Sequence, residues 1–87
     1  MFVIMVYDIG EKRVNKILKI GRKYLTWMQN SLLEGEITEA KFTKLKMEVR
    51  EKTVKEEDSV IWYVLQNKKH LKKETHGLQK GNDHFII

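Results

Sequence analysis

Two uninterrupted apolar runs near opposite ends of this 87-residue chain limit what it can form. The first covers residues 2–7 (FVIMVY) and the second covers residues 60–65 (VIWYVL). Each run is too short for a helix of the core, and its β-branched and aromatic residues favour a strand buried on both faces. Two such central strands in a chain of this length predict one domain over residues 1–87, built around one sheet.

Between the two runs, the apolar residues change to helical spacing. A first helix is predicted over residues 11–23, and its apolar face consists of Val14, Ile17, Leu18 and Gly21. A second helix is predicted over residues 38–53, because it begins at a threonine, which is a favourable N-cap residue. Residues 26–37 are predicted to form two short strands with a bend within residues 29–31.

This order of elements predicts an α+β fold, a ferredoxin-like β-α-β-β-α-β sandwich with two helices on one face of an antiparallel sheet. After a basic segment, the apolar tail at residues 84–87 (HFII) is expected to form an extra C-terminal edge strand. The second sheet face has no cover and the tail has no partner strand. We therefore predict a homodimer in which the segment 67–87 exchanges this edge strand between subunits.

The composition supports an oligomer and excludes several other solutions. The chain has no cysteine, so neither disulfides nor zinc–thiolate sites supplement its small core. Its N-terminus lacks the basic region of a signal peptide, and no apolar run approaches the length of a membrane span. We expect a cytoplasmic protein without membrane contact.

Positive charge is concentrated at the two ends of the chain. The net charge is +4 in residues 1–33 and +3 in residues 59–87, whereas residues 34–58 carry −2. In the first helix, one face carries a lysine stripe with Arg13 beside it: Lys12, Lys16, Lys19 and Lys23. Such a stripe suits nucleic-acid phosphates, although a solvated helix exterior gives the same pattern.

Asp8 is the acid best placed for chemistry, because it closes a buried strand just before a helix. Asp8 and Glu11 also have capping-box spacing, and the pattern alone favours Asp8 as the N-cap of the first helix over Asp8 as a metal ligand. A single carboxylate is a poor magnesium site, but a two-fold dimer could bring two Asp8 side chains to one ion. The two roles are compatible, since a carboxylate has two oxygens.

Three motifs follow one another with defined spacing. They are Val6-Tyr7-Asp8 with Lys12-Arg13-Val14, then residues 28–35 (MQNSLLEG), then residues 56–60 (EEDSV) followed by Tyr63 and Leu65. Together they resemble the CRISPR-associated protein two family over about residues 1–66. The resemblance implies a ferredoxin-like homodimer whose C-terminal strand packs on the partner subunit.

The resemblance also implies a function in spacer acquisition. It implies that the dimer bridges two dimers of CRISPR-associated protein one, the integrase, and holds double-stranded DNA. Several members of the family are magnesium-dependent endonucleases on RNA or double-stranded DNA, with the aspartate that matches Asp8 as metal ligand. Tyr7, Arg13 and Ser31 match positions close to the catalytic site of that family.

Three functions remain open at this point. The first is a metal-dependent endonuclease with paired Asp8 residues, in which Arg13 steadies phosphate. The second is a non-catalytic DNA-binding adaptor, in which the basic surface tracks a duplex and Asp8 caps a helix. The third is a toxin-like RNA-cleaving or regulatory domain outside the family. The fold alone does not separate them.

Overall fold

The computed structural model describes residues 1–78 and residue 80, and in this part the chain forms a four-stranded sheet with two α-helices. In chain order the elements are β1 (Phe2–Asp8), α1 (Glu11–Arg22), β2 (Thr26–Gln29), β3 (Leu32–Glu36), α2 (Glu39–Lys52) and β4 (Ser59–Leu65). All strand pairs are antiparallel, and the strand order is β2-β3-β1-β4. The predicted ferredoxin-like element order is confirmed.

One apolar run is the central strand of the sheet and the other lies at its edge. β1 pairs with β3 on one side and with β4 on the other, and β4 has no second neighbour among the described residues. Within residues 1–78, β4 is therefore an edge strand and not the central strand predicted for residues 60–65. β4 is apolar on both faces because Val60 and Trp62 pack against the core, whereas Ile61 and Tyr63 are exposed on the other side.

The hydrophobic core lies between the sheet and the two helices. Val3, Met5 and Tyr7 of β1 point into it from the sheet. The helices contribute the buried residues Ile17, Ile20, Phe42, Leu45 and Val49. The predicted N-cap of α2 is confirmed, since the hydroxyl of Thr38 accepts a hydrogen bond from the Lys41 N–H at 3.2 Å.

The sheet face opposite the helices is called the open face here. Because side chains alternate along a strand, Ile4, Val6 and Asp8 of β1 point to this face. Directly opposite on β4 stand Tyr63, Ile61 and Ser59, in the same order. Ile61 is 48% exposed and Tyr63 is 53% exposed. The open face therefore carries an apolar row that ends at a carboxylate.

The described C-terminal segment covers the β3 side of the open face. After a 3-10 turn at Lys68–His70, it continues without further regular structure to residue 78. The Lys68 ammonium lies 5.6 Å from the ring centroid of Phe2, and the Lys73 ammonium donates to the Glu34 carboxylate at 2.5 Å. The β4 side of the face keeps its exposed apolar side chains.

Two predictions remain, one on the C-terminal strand and one on membrane contact. The extra edge strand at residues 84–87 lies outside the described residues, so the exchange of segment 67–87 stays a prediction. Neither helix of the described part is long and apolar enough to cross a membrane.

Candidate functional site

Asp8 closes β1 but does not cap α1. The helix begins at Glu11 with Gly10 as its N-cap, and within the described residues no side-chain hydrogen bond caps it. The capping-box interpretation is therefore wrong. The physical reason is that β1 continues through Asp8, which pairs with Ser59 of β4, and Glu11 becomes the first helical residue instead of the third.

The Asp8 carboxylate is exposed on the open face. Among the described residues it has neither a hydrogen-bond donor nor an ion-pair partner, so both of its oxygens can accept an external ligand. In the same part of the chain, no three His, Asp or Glu side chains group closely enough to hold a metal ion. One protomer thus offers one carboxylate, which does not satisfy magnesium alone.

The loop that follows Asp8 is held by a different acid, Asp58. Its carboxylate accepts from the Gly10 N–H at 2.7 Å and from the Val54 N–H at 2.7 Å. The Arg13 guanidinium donates to both of its oxygens, through Nε at 2.7 Å and Nη2 at 3.0 Å, and Nη2 also reaches Glu57 at 3.0 Å. These contacts join the β1–α1 loop to the α2–β4 loop.

The Asp58 side chain is only 1% exposed, so its charge depends on these donors. The hydrogen bonds from Arg13, and then those from the two backbone N–H groups, hold the pKa of Asp58 well below its usual range. The same pair raises the pKa of Arg13. Asp58 therefore stays ionised and saturated, which leaves it no free oxygen for a metal.

Tyr7 and Ser31 lie at the same end of the sheet as Asp8. The buried Tyr7 hydroxyl donates to the Asn30 carbonyl at 2.9 Å, and the Tyr7 N–H donates to the Ser31 carbonyl at 3.0 Å. Burial raises the pKa of the Tyr7 hydroxyl. Tyr7 thus fixes the β2–β3 turn from the helix side of the sheet, whereas Asp8 points to the open face and the Ser31 side chain is exposed.

The lysine stripe of α1 is exposed, but its members differ in their contacts. Lys12, Lys16 and Lys19 have no ion-pair partner among the residues that the structure describes. Lys23 instead donates to the Glu48 carboxylate of α2, which also accepts from the Tyr24 hydroxyl. Because of the bond from Lys23, the pKa of Glu48 is lowered and that of Lys23 is raised. Three of the four lysines are free to meet phosphates.

The predicted site residues lie at one end of the sheet: Tyr7, Asp8, Arg13 and Ser31. Asp58 was not among the predicted site residues, because the sequence shows it only as a member of the third motif, residues 56–60. One signal was available: Arg13 adjoins the apolar face of α1, and an arginine in such a position needs an acid partner. The phosphate contact predicted for Arg13 stays a prediction, since its guanidinium is engaged with Asp58 and Glu57.

Comparison with known proteins gives matches that span these elements. A family model described as CRISPR associated protein Cas2 matches residues 1–73. A CRISPR-associated endoribonuclease Cas2 of Thermotoga maritima is 57% identical over 87 residues, covering 100% of both chains. The protein of the same name from Dictyoglomus turgidum is 49% identical, again over 100% of both chains.

Solved structures agree with these matches. A crystal structure of a Cas2 protein superposes with a TM-score of 0.83 at 39% identity, covering 100% of this chain and 98% of the other. The structure of Streptococcus pyogenes Cas2 at pH 6.5 has a TM-score of 0.77 at 28% identity, covering 88% of this chain and 100% of the other. Every element that holds Asp8, Arg13 and Asp58 lies within the matched region.

Proposed function

The chain belongs to the CRISPR-associated Cas2 family, and from this premise we propose that it acts as a homodimeric, magnesium-dependent endonuclease in CRISPR adaptation. The observation that carries the proposal is the position of Asp8. It is an exposed carboxylate without a partner among the described residues, and it ends the apolar row of the open face. The toxin-like alternative outside the family is set aside by family membership.

The proposed dimer buries the open face against a second copy. Ile61 and Tyr63 of β4 are large apolar side chains that are exposed on this face, and a two-fold axis brings identical surfaces together. Because Asp8 lies on the same face as this row, an axis near the end of β1 places two Asp8 carboxylates at one site. This supplies the second carboxylate that one protomer lacks.

In this proposal the two Asp8 side chains hold one magnesium ion, with the remaining positions left to water and to the nucleic acid. When bound, the ion supplies charge neutralisation at the phosphodiester and lowers the pKa of a bound water. The protein residues do the rest: Asp58 and Arg13 hold the loop after Asp8, and Tyr7 holds the turn that presents Ser31. Lys12, Lys16 and Lys19 attract the polyanionic backbone.

The substrate class follows from the relatives only in part. The similar proteins are named endoribonucleases, and we extend this to RNA and double-stranded DNA as candidate substrates. The purified protein should cleave labelled RNA or duplex DNA with magnesium and lose cleavage with a chelator. Asp8→Asn, which preserves shape and removes charge, should lower the cleavage rate at least about a hundredfold, as expected when an essential group is removed.

The matched control for this experiment is Glu51→Gln, which removes an exposed acid on α2 away from the site. It should cleave at the wild-type rate. Both variants should elute as dimers, which separates loss of catalysis from loss of assembly. Equal cleavage by the wild-type protein and Asp8→Asn would mean that the activity comes from another protein in the preparation.

A second candidate, a non-catalytic adaptor, is favoured by a different observation. Lys12, Lys16 and Lys19 are exposed and have no ion-pair partner among the described residues, so this surface can bind a phosphate backbone whether or not a metal is bound. In this role the dimer holds double-stranded DNA and bridges two dimers of the CRISPR integrase. Co-purification with the integrase by both the wild-type protein and Asp8→Asn, without cleavage by either, would establish the adaptor and refute the endonuclease.

A further inference from the structure

A groove between α2 and β4 lies outside the proposed catalytic site. We call it the basic groove; its volume is about 480 Å³. Its cationic side chains are Lys46, Arg50 and Lys55, and its apolar side chains are Val49, Val60 and Trp62. A cavity of this size admits a nucleotide, since small-molecule sites span roughly 300–1,000 Å³.

The charge of the basic groove is not compensated within the described residues. Lys46, Arg50 and Lys55 have no ion-pair partner there, and the Lys46 ammonium lies 4.3 Å from the centroid of the Phe42 ring. The one acid in the wall is Asp58, whose two oxygens are taken by Arg13, Gly10 and Val54. Three cations therefore face the groove without a counter-charge.

The helix end beside the basic groove does not cancel this charge. α2 ends at Lys52, and the carbonyl end of a helix repels anions. Here the Thr53 hydroxyl donates to the carbonyls of Val49 at 3.0 Å and Arg50 at 3.3 Å. These bonds satisfy part of the last turn, so the three cations set the local potential.

The basic groove also contains an aromatic surface. Trp62 is partly buried, and it is held edge-on by Phe42 with ring centroids 5.4 Å apart at 73°. Fixed aromatic side chains beside cations are the pattern that binds unpaired bases, because a base stacks on the ring while its phosphate meets the cations. A base-paired duplex does not offer a free base face.

From this combination we infer that the basic groove binds an unpaired nucleotide of the nucleic-acid substrate. The inference rests on the nucleic-acid binding of the proposed function, not on its cleavage. The groove begins at the end of β4 that pairs with Asp8, since Asp58 and Ser59 are neighbours there. Val60 and Trp62 face the helices whereas Asp8 faces the open side, so the bound nucleotide lies around the β4 edge from the phosphate presented to Asp8. Substrates with a single-stranded overhang therefore bind more tightly than blunt duplexes.

Fluorescence of Trp62 tests this directly. The chain has two tryptophans, so Trp27→Phe leaves Trp62 as the only one. The change is mild, because the indole N–H of Trp27 is buried without a partner among the described residues. In an Asp8→Asn background without divalent metal, an overhang duplex should quench Trp62 and bind about tenfold more tightly than its blunt counterpart, as stacking of one base predicts.

Two triple variants of equal charge change provide the comparison. The first variant should abolish the preference for the overhang; it combines Lys46→Gln, Arg50→Gln and Lys55→Gln. It should also make the slope of log affinity against log salt less steep by about 0.7 for each lost phosphate contact. The second variant should lower the affinity for both duplexes equally and keep the preference for the overhang; it combines Lys12→Gln, Lys16→Gln and Lys19→Gln.

Equal quenching by blunt and overhang duplexes, or the same loss in both triple variants, would overturn the inference. Equal quenching by an acidic peptide of matched charge would also overturn it, in favour of a protein ligand. The assay needs no cleavage. Overhang-specific quenching, together with no magnesium-dependent cleavage by the protein that retains Asp8, would refute the endonuclease and leave the inference standing.

Discussion

Truncation of Ile61 to alanine is predicted to weaken the proposed dimer about 30-fold. Complete burial of an isoleucine side chain is worth about 1.5–3 kcal/mol. Ile61 is 48% exposed in one protomer, so about half of that value, ~1 kcal/mol, remains to be gained on association. A two-fold interface contains the residue twice, which gives ~2 kcal/mol, and 1.4 kcal/mol corresponds to about a tenfold change in Kd.

Sedimentation equilibrium over a range of protein concentrations measures the Kd of the dimer for each variant. Met47→Ala is the matched control, because Met47 is 53% exposed but lies on α2, away from the open face. It should leave the Kd within about twofold of the wild-type value. An unchanged Kd in Ile61→Ala, or an equal increase in both variants, would refute the assignment of the open face as the interface.

Three further predictions concern the fold that supports the site. Asp58→Asn should lower the midpoint of urea unfolding at neutral pH. The pKa of Asp58 in the folded state lies below its ordinary value of 3.8. The stability that its charge contributes is therefore complete well above pH 3.8 and is lost as the pH falls below that value, so the difference in midpoint between wild type and variant should shrink at about pH 3. A difference in midpoint that does not depend on pH would contradict the ion-pair account. Tyr7→Phe removes the bond to Asn30 and should cost about 1 kcal/mol in the free energy of unfolding by urea titration, whereas no change would show that water replaces the bond. Leu45→Ala empties a fully buried core position and should cost about 2–5 kcal/mol in the same assay, and a loss below ~1 kcal/mol would mean that the core collapses around it.

The order of elements could be predicted from the sequence because it depends on local patterns. Helical spacing located α1 and α2, and the threonine at residue 38 located the start of α2. The edge position of β4 could not be predicted in this way. A continuous apolar run is typical of a central strand that is buried on both faces. The same run also occurs in an edge strand whose second face packs against another surface.

The strand end that carries Asp8 was predictable from the sequence, but the contacts around it were not. The position of Asp8 followed from the end of an apolar run. The predicted N-cap role of Asp8 was wrong because the capping-box pattern involves only four residues and occurs outside helix starts as well. Here the pairing of Asp8 with Ser59 keeps Asp8 in the strand. Asp58 was missed because its partner Arg13 is 45 residues away in sequence, and only the folded chain brings the two loops together.

The central position of β1 has a consequence for the order in which the protein can assemble during synthesis. β1 leaves the ribosome well before β4, and Phe2 pairs with Leu65, near the end of the described sheet. One side of β1 therefore stays unpaired until most of the chain has been made, and such long-range pairing slows folding. Nascent chains that stop after α2 should expose an unpaired strand edge and aggregate, which makes translation speed through β4 a determinant of yield.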